Sequence, residues 1–224
     1  PNTHTASRIP VTVRDPNTPH AAQQQVAVPS PYWGSEPIWN SRANVHNPML
    51  DGQGRVWITS RVRPPDNPAF CKAGSRHPSA RLFPLASAGR HLAVYDPKTK
   101  EMKHVSTCFG THHPQFGYDA DDTLWLSGTG PVAGWVNTKT WDETGDAQKS
   151  VGWFPFVLDL NGNGKLDEFT DPGKPDAAKD MRFNPGSGPY AVMPHPKDGS
   201  VWYTSGVFAG QPGFLRFDPK TKLS

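Results

Sequence analysis

Hydrophobic and polar positions alternate in a pattern that the chain repeats three times. The first copy is Asp51-Gly52-Gln53-Gly54-Arg55-Val56-Trp57-Ile58-Thr59-Ser60; the second is Asp119–Gly128 and the third Lys197–Gly206. Each copy opens on a polar turn. It continues as an apolar residue, a Trp (Trp57, Trp125, Trp202), an apolar or aromatic residue and a small polar residue. Asp and Gly tolerate positive φ and close tight turns. The β-forming residues that follow alternate, so each copy predicts a turn and then a strand.

A second element tracks the first. Leu92–Lys100, Gly134–Thr140 and Phe214–Lys222 each predict a strand running into an Asx or Pro turn, as in Asp96-Pro97-Lys98-Thr99-Lys100 and Asp218-Pro219-Lys220-Thr221-Lys222. No helical period competes with these strands. Repeated strand–turn–strand units imply a repeat architecture, and the fold class expected is all-β, a β-propeller with about three blades. The 25 Pro and 21 Gly among 224 residues suit short strands and long loops. Eight Trp and eleven Phe supply large core residues.

The expected organisation is a strap or edge strand over residues 1–30 and propeller blades over 31–224. Within the strap, Ile9–Val13 and Gln23–Val28 are candidate strands. Blade one begins near Ile38-Trp39 and carries an insertion over 61–90. Blade two begins near Gln115 and ends with Gly152–Leu158, and an insertion over 159–185 follows. Blade three holds Tyr190–Val192, Val201–Tyr203 and Phe214–Phe217. Three blades leave open sheet edges, a liability that closed propellers avoid. The chain is therefore expected to be the N-terminal part of a larger propeller.

The DGxVW-type blade followed by a (Y/F)DPxTxK turn resembles the streptogramin-lyase-like propellers, named for virginiamycin B lyase. The chain is more similar still to longer secreted bacterial proteins with that propeller, often labelled carboxypeptidase-regulatory-like. The stretches that carry this are Asn47–Asp51, Thr107–His113 and Asp159–Lys165. The resemblance covers residues 30–224 and implies the propeller fold and a secreted protein. It carries over no catalytic residue, because the lyase's catalytic His and acidic residues belong to later blades.

Charge narrows the function classes. The net charge is +3 with both signs interspersed, which is not the clustered basic face of a nucleic-acid binder. No apolar run approaches the ~18 residues of a membrane span. Cys71 and Cys108 are the only cysteines and form no CxxC. They read as a structural disulfide rather than a metal or redox pair, which implies an oxidising compartment, periplasmic or extracellular.

Two constellations carry candidate chemistry. Asp159-Leu160-Asn161-Gly162-Asn163-Gly164-Lys165-Leu166-Asp167 sets oxygen ligands at positions one, three, five and nine, with Gly at six and the Lys165 carbonyl at seven. That is the opening of a calcium loop. Position twelve is Thr170 rather than Glu, so Glu168 or Asp171 is the expected substitute, and a plain Asn-Gly hairpin is the alternative. The second constellation is His46, His112 and His113, each just before a Trp strand. Equivalent blades bring such residues towards one axis, where neutral imidazoles suit a transition metal. Strand-end capping is the alternative. Successive side chains alternate in an extended segment, so one of His112 and His113 is expected to join His46; His113, closer to the strand and next to Pro114, is the expected one, while blade three offers Tyr190 at that place and His195 in a turn.

Asp51 and Asp121-Asp122 read as turn residues, and the Lys-Thr-Lys turns as solvated tips. Trp33, Trp39 and Trp153 read as core, with a stacking shelf for a glycan as the alternative. No GxSxG, P-loop, GxGxxG, CxxCH or HExxH occurs. Two functions follow as expectations. One is a secreted binding or scaffold propeller with a protein, glycan or surface partner. The other is a metal-dependent lyase or hydrolase with its site at the propeller channel.

Overall fold

The computed structural model describes residues 7–20, 31, 34–35, 42–128, 130–184, 188–205 and 213–224. The expected strand Gln23–Val28, the blade start at Ile38-Trp39, and Trp33 and Trp39 lie outside them.

The fold is all-β. The first sheet is a meander of β1 (Pro48–Leu50), β2 (Val56–Ser60), β3 (His91–Asp96) and β4 (Glu101–Val105). The second is a meander of β5 (Pro114–Phe116), β6 (Leu124–Leu126), β7 (Val132–Val136) and β8 (Val151–Pro155). A small mixed sheet follows, in which β9 (Val157–Leu158) pairs antiparallel with β11 (Asp180–Arg182) and β10 (Phe169–Thr170) pairs parallel with β11. The third meander is β12 (Val192–Pro194), β13 (Val201–Ser205) and β14 (Gly213–Phe217). The three Trp strands occupy the second place in the three meanders. Register repeats too: Met49, Gln115 and Met193 pair with Trp57, Trp125 and Trp202.

The turns repeat in atomic detail. Gly54, Asp122 and Gly199 hold equivalent places before the Trp strands, all at positive φ (83°, 47° and 76°). The Asp-Pro-Lys-Thr-Lys turns close identically, with the Lys100 and Lys222 amides donating to the Asp96 and Asp218 carbonyls at 2.8 Å. Lys100 and Lys222 then adopt φ of 61° and 65°. The second copy departs from the expected turn. Trp141 stands where Lys100 and Lys222 stand, and a bulky aromatic is disfavoured at positive φ. The chain continues instead into a helix, α2 (Thr138–Thr144), capped by Asn137 and ended by Gly145 at φ 63°. Trp141 is buried by that helix.

One core lies between the first two sheets, around Trp57, Leu92, Phe109, Leu124, Leu126 and Trp153. The other lies between the second sheet and the third, around Trp125, Phe156, Tyr203 and Phe217. Leu124 and Leu126 belong to the first core and Trp125 to the second, because successive side chains on a strand face opposite ways. The 61–90 insertion spans the first two sheets. The Cys71–Cys108 disulfide forms as expected, and His77 stacks on Trp153 with ring centroids 4.9 Å apart and planes 3° from parallel. Trp153 is fully buried there, so it is core and offers no stacking shelf. Residues 9–13 form no strand. That segment is tied down instead by the Arg14 and Asp15 amides donating to the Val62 carbonyl. No helix of the described residues is long and apolar enough to cross a membrane.

Candidate metal centre

In an antiparallel meander, the residues before the first strand share an end with the loop between the second and third strands. His46, His112 and Tyr190 each stand two residues before the first strand of their sheet. Their amides make one repeated bond, to the carbonyls of Thr59 (3.0 Å), Ser127 (2.7 Å) and Thr204 (3.0 Å). The next amides, of Asn47, His113 and Ala191, donate to the hydroxyls of the same three residues. Each position is thus fixed by the small polar residue two places after the Trp.

The same hydroxyls tie neighbouring sheets together. Thr59 Oγ1 donates to the His112 carbonyl at 3.0 Å, and Ser127 Oγ donates to the Tyr190 carbonyl. Asn47 Nδ2 reaches the His112 carbonyl at 3.2 Å, and His113 Nδ1 reaches the Tyr190 carbonyl at 2.8 Å. Contacts between β1 and β5, and between β5 and β12, complete this seam.

His46, His112 and His113 consequently converge, each offering a ligand nitrogen within 4.8 Å of the others. His46 lies 3.9 Å from His112 and 5.7 Å from His113 between ring centroids. The nearer partner is therefore His112, not the expected His113. The reason is that His112 repeats the place of His46, two residues before the first strand. The Tyr190 ring closes the group, 5.0 Å from His112 and 4.6 Å from His113.

The bonding settles one tautomer. A carbonyl only accepts, so Nδ1 of His113 carries the proton it gives to Tyr190, leaving Nε2 with a free lone pair. His112 Nδ1 stands 3.1 Å from that nitrogen. The His112 imidazole is pushed down to about 4 by burial and by His46, His113 and Arg90. Burial, Arg90 and His113 push His46 down as well. Neutral imidazole is the ligating form. Ligands 2.0–2.1 Å from a tetrahedral ion lie about 3.4 Å apart, and these nitrogens already lie within 4.8 Å of one another. His46 is exposed, which leaves a side of the group open to solvent. The residues fit an imidazole-bound transition ion with an accessible position.

Beside the group is a cavity of about 330 Å³, lined among others by Asn44, Arg61, Arg90, Thr111, His112 and Tyr190. Its floor is backbone: a Cβ on Gly128 would stand 1.7 Å from the Gly110 carbonyl oxygen. Arg61 directly follows β2 and Arg90 directly precedes β3, so the long insertion begins and ends at this site. Sequence reasoning missed both arginines. The signal was their place at the two ends of the insertion, on the same end of the sheet as His46.

The candidate calcium loop lies elsewhere. Asp159 accepts from the amides of Gly162, Asn163 and Gly164 at 2.7, 3.2 and 2.8 Å. Asn161 and Asn163 both donate to Asp167 Oδ2. The two expected substitutes at the loop's exit are engaged: Glu168 pairs with Lys179 at 2.8 Å and Asp171 with Arg182 at 3.0 Å. Thr170 is held in β10. Asp180 is fully buried beside the loop; its Oδ2 accepts from the Asp167 amide and its Oδ1 has no partner among the described residues. His195 lies in the turn before β13, 3.1 Å from Asp198 and away from the histidine group. Asp51 caps its own turn, accepting from the Gln53 and Arg55 amides and from Trp57 Nε1 at 2.9 Å.

The chain matches no protein family, no characterised protein and no solved structure.

Proposed function

We propose that this protein is a β-propeller with a transition-metal centre at its axis, formed by His46, His112 and His113, and that it acts as a metal-dependent hydrolase or lyase. One observation carries the reading: three imidazoles from two sheets meet within 4.8 Å beside an open cavity. The ion would polarise a carbonyl or lower the pKa of a bound water. His113, oriented by the Tyr190 carbonyl, would present Nε2. Zinc analysis of wild type against His46→Ala and His112→Ala tests it. One zinc per chain, lost in both variants, is expected; equal content in all three contradicts it.

The propeller rests on the repeated seam and on one uncovered face. In the first sheet Trp57 and Leu92 are fully buried against the second sheet, and in the second sheet Trp125 and Ala133 lie in the core shared with the third. The matching face of the third sheet carries Met193 and Phe214, exposed at 64% and 77%. A further sheet of the same repeat is the natural cover for that face, in keeping with a streptogramin-lyase-like propeller. That same face favours the second reading, a binding or scaffold module whose partner docks there. The disulfide supports a periplasmic or extracellular setting.

Calcium is the proposed occupant of the Asp159–Asp167 loop, with the Lys165 carbonyl as one ligand. Asp180 is the carboxylate left to complete the set. Its role there is to stiffen the insertion.

A further inference from the structure

We infer that the cavity beside the three histidines is an anion-binding subsite, in which Arg61 and Arg90 hold the carboxylate or phosphate group of a small-molecule substrate. The inference deepens the metal-centre reading, and rests on it only for what the bound molecule then meets.

Charge balance is the first observation. Arg61 and Arg90 both line the cavity and both are half-buried. Two other arginines of the first sheet and its insertion have their partners. Arg55 is paired with Asp51 and Asp142 at 2.6 Å each, and the buried Arg63 is wrapped by five oxygens. Among the described residues no carboxylate pairs with Arg61 or Arg90. Two guanidinium groups removed from bulk water side by side, without a counter-charge, are costly unless an anion joins them.

Donor satisfaction is the second. Arg61 gives one N–H to the His20 carbonyl at 3.2 Å. Arg90 Nε is buried and has no partner among the described residues. The Arg90 guanidinium is held below its ordinary value by burial and by the Arg61 charge, which places the two groups in mutual repulsion. An oxyanion between them removes both penalties, and the fork of a guanidinium matches a carboxylate or phosphate edge.

Size and place are the third. About 330 Å³ is at the small end of metabolite sites. His112 lines the same cavity, so an anion held at Arg61 and Arg90 sets the rest of its molecule against the histidine group. A substrate of this site is a small organic acid or phosphate whose reacting bond lies next to its charged group.

The test is calorimetric titration of metal-free protein with oxalate and, separately, with inorganic phosphate. Removing metal first prevents the ion itself from capturing the anion. The wild type is expected to bind at least one probe. Which probe it prefers distinguishes a carboxylate from a phosphate substrate. Arg61→Gln/Arg90→Gln is expected to lose at least tenfold in affinity, with Arg90→Lys between the two and circular dichroism unchanged. Lys220→Gln, in an exposed turn outside both the cavity and the histidine group, is expected to bind the anion like wild type. A wild type that binds neither probe, or a double variant that binds as tightly as wild type, overturns the inference. Zinc uptake by the same proteins, reloaded after the titration, separates the two ideas. If wild type takes up no zinc while anion binding still depends on both arginines, the metal centre falls and the subsite stands.

Discussion

The rings of His46 and His112 stand 3.9 Å apart between centroids, although they belong to different sheets. Each occupies the same place, two residues before the first strand, and each amide bonds the same carbonyl of its own Trp strand. Their meeting is thus a consequence of the repeat. Thr59 links the two positions directly: it accepts from Asn47 and donates to the carbonyl of His112.

Thr59 is fully buried. Thr59→Val keeps its shape and removes the hydroxyl, leaving the Asn47 amide without its acceptor. A loss of about 1–3 kcal/mol is expected, read as a lower midpoint in urea with an unchanged slope. Zinc affinity should fall as well, since His112 is no longer held. A variant as stable as wild type removes the hydroxyl from the account of the seam.

Much of this architecture was legible in the sequence. The Trp strands, the Asp-Gly turns and the Asp-Pro turns are local signals, and each recurs in the structure. The small polar residue after each Trp was also visible, but its role was not. A hydroxyl that joins two sheets cannot be read from a single strand. The helix at Thr138–Thr144 was missed because Asn137 keeps the Asx start and Lys139-Thr140 the Lys-Thr of the other turns, while Trp141, which redirects the chain, follows them. The nearness of His112 rather than His113 was missed because closeness to the strand was weighed, whereas His112 is the residue that repeats the place of His46, two residues before the first strand. Arg61 and Arg90 lie far apart in sequence, and only β2–β3 pairing brings them together.

His91 gives the fold a pH dependence. It is fully buried, neither ring nitrogen has a partner among the described residues, and its pKa lies well below the ordinary value through burial and the charges of Arg63 and Arg14. Below the ordinary value of about 6.5, the unfolded chain takes up a proton that the native state refuses. Stability therefore falls as pH drops through that value, by up to about 1.4 kcal/mol per pH unit for this group, and is unaffected by it at higher pH. His91→Gln should flatten this acid limb between about pH 6.5 and 5. Urea unfolding across that range measures it; parallel curves for the two proteins contradict it.

The Cys71–Cys108 bridge closes a 37-residue separation. Chain entropy alone gives such a loop about 4 kcal/mol of stabilisation. Reduction should lower the melting temperature by many degrees and loosen the 61–90 insertion first, seen as new protease cleavage between those residues. An unchanged melting temperature in reductant argues that Arg63 and Asn67, which bond to residues 106–108, hold the insertion without the bridge.

Calcium should protect the 159–185 insertion. Chelator is expected to speed proteolysis there, and Asp159→Ala should abolish the difference between calcium and chelator. Asp180→Asn should weaken the protection, as its buried Oδ1 has no partner among the described residues. Proteolysis that ignores calcium leaves the segment as a hairpin held by its own Asn and Asp side chains.

The most direct measurement is X-ray absorption at the zinc edge of the metal-loaded protein. Three imidazole nitrogens at roughly 2.0–2.1 Å, with the outer-ring scattering of histidine, are the result expected. His113→Ala should remove one of them. A shell of light atoms without imidazole scattering, or one unchanged in that variant, would contradict a centre built from His46, His112 and His113.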